Sequence, residues 1–170
     1  MAALGKAYNF LLYALATLSG VLIFLSFVMI VVDVTMRILG FTPPSFTIAV
    51  VEYGLLWFAV LAAPWLVRIK GHVFIDALAQ FLPGLVKRIA AKLVYILCII
   101  AALVYSYNSG KLLINAFVEQ KVDVRTVDMP QWVLFLPMPL CFFVVALEFG
   151  RYLIGVDDMY SQSIVEREGV

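Results

Sequence analysis

Residues 10–36 read FLLYALATLSGVLIFLSFVMIVVDVTM, a run with no charged side chain before Asp33. A helix needs about 20 apolar residues to cross the hydrocarbon of a bilayer. This stretch exceeds that length. Comparable runs follow at 45–67, 89–117 and 131–154, so together the four account for most of the 170 residues. Hydrophobic residues make up 65% of the chain and charged residues 14%, whereas a soluble domain carries about a quarter charged. The expected fold is therefore an all-α membrane protein, a single membrane domain over 1–170 with four transmembrane helices. A cleaved leader fits residues 10–36 poorly, because the apolar run is too long and only Lys6 precedes it.

A net charge of +1 says little, but the position of the cations is informative. Arg68, Lys70, Lys87, Arg88 and Lys92 fall between the second and third runs, Lys6 precedes the first, and Arg151 and Arg167 lie at or after the end of the fourth. Arg37, Lys111, Lys121 and Arg125 mark the other two connections. The richer side is expected to be cytoplasmic, which places both termini inside. Arg68, Lys70, Lys87, Arg88 and Lys92 are then candidates for contact with lipid headgroups, at about 1 kcal/mol each near the surface.

Three connections have their own signals. Pro43 and Pro44 should stop the first helix, with Ser45 free to cap the second. Residues 72–82, HVFIDALAQFL, repeat a polar side chain every four positions at His72, Asp76 and Gln80. That spacing predicts a short amphipathic helix lying in the membrane interface. The third apolar run turns polar at Ser106, Asn108, Ser109 and Lys111, which predicts a helix projecting past the outer headgroups. Pro137 and Pro139 should bend the fourth.

Ionisable groups inside spans are costly and need partners. Asp33 and Arg37 stand four apart, the better order for an intrahelical pair. Glu52 enters the second span, and across the short hairpin Arg37 is its expected counter-charge. Glu148 and Arg151, three apart, read as a pair at the inner end of the fourth span. No nucleotide-binding, zinc-protease or hydrolase motif occurs, and the one histidine, His72, excludes a bis-histidine haem. Cys98 and Cys141 lack metal or redox spacing and read as buried thiols. Neither enzymatic activity, a cofactor, nor a nucleic-acid partner is expected.

These residues resemble a family, the small integral-membrane (Q) subunit of the TRAP transporters. VVDVTMR at 31–37 is similar to the V-x-x-R ending of its first span. Residues 51–78, VEYGLLWFAVLAAPWLVRIKGHVFIDAL, resemble its second block, with Glu52 as the entering acid and Arg68, His72 and Asp76 in an R-x-x-x-H-x-x-x-D pattern. FLP at 81–83 and VDMPQW at 127–132 also match. The resemblance implies an accessory subunit in the bacterial inner membrane, beside a large permease subunit that holds the coupling sodium ions. A periplasmic substrate-binding protein would deliver small carboxylates such as C4-dicarboxylates, sialic acid or other sugar acids, with transient contact to loop 119–129. On this reading Asp33, Arg37, Glu52, Arg68, His72, Asp76, Glu148 and Arg151 are structural or partner-facing. The alternative is a self-sufficient multidrug-type transporter organised on Glu52.

The interfacial helix is open to a direct check. With Cys98 and Cys141 replaced, single cysteines along 72–82 should label from the cytoplasmic side in a four-residue rhythm peaking at 72, 76 and 80. Even labelling throughout would mean an unstructured loop, and labelling from outside would invert the topology.

Overall fold

A computed structural model describes residues 2–69, 84–124 and 128–155, with side chains from 5, 89 and 128 onward in the three segments. The proposed interfacial helix at 72–82 lies outside the described residues. Helix α1 spans Ala2–Ile38, α2 Thr47–Arg68 and α3 Gly84–Val118. Strands β1 (Val122–Val124) and β2 (Asp128–Pro130) then form an antiparallel ribbon with Asp123 opposite Met129. Helices α4 (Gln131–Phe135) and α5 (Pro137–Ile154) complete the order. Four helical stretches, Gly5–Ile38, Thr47–Arg68, Ile89–Val118 and Gln131–Ile154, are long and apolar enough to cross a membrane.

The helices stand in a row. α1 packs on α2, α2 on α5, and α5 on α3. One core joins Val67 of α2, Tyr95 and Ala102 of α3, and Val145, Phe149 and Tyr152 of α5. A second joins Leu15 of α1, Val60 and Leu61 of α2, and the free thiol Cys141 of α5. The outward faces carry exposed Phe10, Phe24, Phe27, Leu97 and Ile100, as helices facing lipid or an apolar partner must.

Local chemistry sets the helix ends. Gly40 closes α1 in the left-handed region at φ 81°. Its N–H reaches Arg37 O at 3.1 Å and that of Phe41 reaches Met36 O at 2.9 Å, the paired bonds of a Schellman end. The prolines follow this stop and do not cause it. Ser45 does not cap α2, which starts at Thr47 with the Thr47 hydroxyl donating to Pro44 O at 2.9 Å.

One expectation about the later spans changes. The fourth is broken at Leu136 into α4 and α5, because neither Pro137 nor Pro139 has an N–H to continue the ladder. Ser106 donates to Pro139 O at 2.8 Å and so ties α3 to the break. Tyr95 of α3 faces Tyr152 at 5.9 Å and Phe117 faces Trp132 at 6.0 Å, contacts that lie about 33 Å apart along the helix. The polar patch of α3 is satisfied on its own helix, with Asn108 bonded to Val104 O and Ser109 to Tyr105 O. Lys111 lies over the Tyr107 ring at 4.5 Å.

At the α1–α2 contact the backbones approach closely at Gly54, where a Cβ would sit 2.7 Å from Ser26 Oγ. Gly54→Leu should therefore lower thermal stability in detergent by about 1–3 kcal/mol, the usual cost of overpacking. Gly54→Ala should cost less, and Ser26→Ala should relieve it. A Gly54→Leu protein melting with the wild type would show that the two helices are not in contact there.

Candidate functional site

Glu148 is placed by α5 at the end of the row where α2 terminates, and its side chain is 1% exposed. A carboxylate so deep is strongly disfavoured unless its charge and lone pairs are met. Arg68, in the last turn of α2, brings Nη1 to 3.1 Å from Oε1 and 3.4 Å from Oε2. Arg151, one turn along α5, brings its own Nη1 to 3.2 and 3.4 Å from the same oxygens. Both carboxylate oxygens are thus shared by two guanidinium groups.

α1 completes the cluster. Arg68 Nη2 donates to Asn9 Oδ1 at 3.0 Å, and the Tyr8 ring lies 6.0 Å from the Arg151 guanidinium. The Tyr152 hydroxyl donates to Val67 O at 2.7 Å and more weakly to Arg68 O at 3.4 Å, satisfying carbonyls at the frayed end of α2. The cluster is a polar tie across three helices. Two cations on one anion leave a positive excess, on the partly exposed faces of Arg68 and Arg151.

Other sequence-predicted residues lie elsewhere. Asp33 and Arg37 pair at 2.7 Å at the far end of α1. Arg37 is engaged within its own helix and not across the hairpin, so the expected Arg37–Glu52 pair is replaced by the local one, whose i,i+4 geometry needs no interhelical reach. Glu52 is exposed on α2, and its neighbour Tyr53 donates to Asp123 Oδ2 of β1 at 3.1 Å. Lys92 is exposed on α3. Lys70, His72 and Asp76 lie outside the described residues, as do the side chains of Lys87 and Arg88.

Tyr8, Asn9 and Tyr152 escaped the sequence reading. The available signal was topological: α2 and α5 run in the same direction, so residues near both C-termini must share a level. A separate groove of about 360 Å³ opens between α2, α3 and α5, lined by Ala63, Cys98, Ala101, Ala102, Phe142 and Val145 among others, with no charged side chain. Among the described residues, no three of His, Cys, Asp and Glu converge as a metal site would require.

The family model for tripartite ATP-independent periplasmic transporters, DctQ component, matches residues 26–156. No curated protein and no solved structure matches the chain.

Removing the anion from the cluster should be more damaging than removing either cation's reach. Glu148→Gln should destabilise the chain by about 3 kcal/mol, because it strands two guanidiniums, whereas Arg151→Ala at a partly exposed position should cost about 1 kcal/mol or less. Arg68→Met combined with Glu148→Gln should recover part of the loss. Thermal melts of the wild type, Arg68→Met, Glu148→Gln and the double variant in one detergent measure the coupling, and strictly additive losses would mean that Arg68 and Glu148 do not interact.

Proposed function

The chain belongs to the DctQ-component family of the tripartite ATP-independent periplasmic transporters, and from that premise we propose that it is the scaffold membrane subunit of a sodium-coupled importer of small carboxylates. The family is one of transporter components and not of enzymes, and the chain is a multi-pass membrane protein. On this reading the large permease subunit carries the substrate and sodium sites, and a periplasmic binding protein delivers C4-dicarboxylates, sialic acid or other sugar acids. On the same reading both termini are cytoplasmic and the membrane is the bacterial inner membrane.

The observation that carries the proposal is where the buried charge sits. Glu148 is enclosed by Arg68 and Arg151 of the same chain, so it holds helices together and leaves no open coordination for an ion or a carboxylate substrate. A solute site needs a cavity with convergent polar groups, and the groove between α2, α3 and α5 has an apolar lining. Asp33 and Arg37 neutralise each other on one helix. The row of helices presents broad apolar faces instead, which suits packing against a larger membrane partner. A self-sufficient multidrug-type transporter built on Glu52 finds no support in the family match or in this geometry.

Proteoliposomes holding the purified chain alone should accumulate no carboxylate under a sodium gradient. Vesicles with the chain, its large partner and the binding protein should accumulate it, and omission of this chain should abolish uptake. Sodium-driven uptake by the chain alone would overturn the scaffold reading.

A further inference from the structure

Arg151 has hydrogen-bonding capacity that the cluster around Glu148 does not use. Of its three guanidinium nitrogens only Nη1 is engaged, at 3.2 and 3.4 Å from the two Glu148 oxygens. Nε and Nη2 form the side-on edge of the guanidinium, and neither has a partner among the described residues. Two parallel N–H groups on one planar edge make the fork that takes two oxygens of a phosphate or carboxylate. The side chain is 31% exposed, so the fork is not sealed inside the protein.

The charge around this fork is unbalanced. Glu148 brings one negative charge to two cations, and neither Arg68 nor Arg151 pairs with a second carboxylate among the described residues. Carbonyls at the end of α2 would offset the excess, but the Tyr152 hydroxyl donates to two of them, Val67 O and Arg68 O. Arg37 shows the contrast. Asp33 neutralises it one to one through Nε, which occupies its side-on edge.

A second observation selects the kind of anion. Leu147 and Ile154 flank Arg151 at i−4 and i+3, on the same face of α5, and Leu140 and Phe143 continue that face. All four are exposed. From Arg151 the apolar stripe therefore runs about 16 Å along the helix to Leu140, back into the span. The span itself ends at Ile154, three residues beyond Arg151, and that of α2 ends at Arg68, which are the positions where cations meet headgroup phosphates. A fork with excess positive charge at a span end, above a greasy stripe, matches a molecule with an anionic head and an apolar tail.

We propose that Arg151, backed by Arg68, forms a binding site for one anionic phospholipid, with the phosphate on the Nε–Nη2 edge and an acyl chain along Leu147, Phe143 and Leu140. The site belongs to the chain itself and needs no partner subunit.

Native mass spectrometry of the full chain, released from detergent after titration with phosphatidylglycerol or phosphatidylcholine, tests this directly. One phosphatidylglycerol per chain should bind about fivefold or more tighter than phosphatidylcholine, and inorganic phosphate at equal concentration should not displace it. Arg151→Ala should abolish the preference, and Arg151→Lys, which keeps the charge but not the fork, should lower it. Lys111→Ala, which removes a cation remote from Glu148, should leave it unchanged. Leu147→Ser should weaken both lipids. Equal binding of the two lipids to the wild type, or a preference unchanged in both Arg151 variants, would overturn the proposal. So would an equal loss in Lys111→Ala, which means diffuse attraction, or displacement by inorganic phosphate, which means a site for the free anion. A preference that emerges only when Asp157 and Asp158 are replaced by Asn would show that the chain's own acids hold the fork, and would overturn it as well.

Discussion

A carboxylate buried at the end of a helix row needs partners, and Glu148 obtains them from α2 and from its own helix, with α1 bracing both. Arg68 comes from α2, Arg151 from one turn further along α5, and Asn9 and Tyr8 of α1 hold the outer sides of the two arginines. Because the charge cannot be left alone in a low-dielectric site, the C-terminal ends of α2 and α5 are fixed at one level and the start of α1 is fixed against them. Apolar packing alone does not set such a register in lipid, since tails and side chains are equally greasy. The ion cluster therefore specifies the arrangement more than it stabilises it.

At the other end, different devices do the same work for α3. Ser106 bonds to Pro139 O, where two prolines interrupt the helix, and Trp132 of α4 meets the Phe117 ring edge-on. The break is thus a point of attachment. α4 follows the ribbon directly, with Gln131 N–H bonded to Lys121 O at 2.9 Å, so ribbon, short helix and the Val118 end of α3 form one cap over the row.

Hydropathy made the four spans legible, because in a bilayer only a helix or a closed barrel satisfies its own backbone and runs such as residues 10–36 are too long for anything else. The Asp33–Arg37 pair was legible for the same local reason, the helical repeat. The Glu148 cluster was legible only in half. Arg151 is visible at i+3, but Arg68 is 80 residues away and becomes a partner only once α2 and α5 are known to be adjacent. Hydropathy does not order helices side by side, so neither the row nor the role of Asn9 could be read. The ribbon was missed although Val122 and Val124 alternate with Asp123 and Arg125, since strand-like alternation over so few residues is easily taken for a mixed-charge loop.

The pairing of the ionic groups bears on how this chain assembles. The charges of Glu148, Arg68, Arg151, Asp33 and Arg37 are paired within the chain, so the fold can form around them before any partner arrives. A subunit whose internal charges were met only by its partner would insert with an unpaired ion in hydrocarbon, at a cost of several kcal/mol.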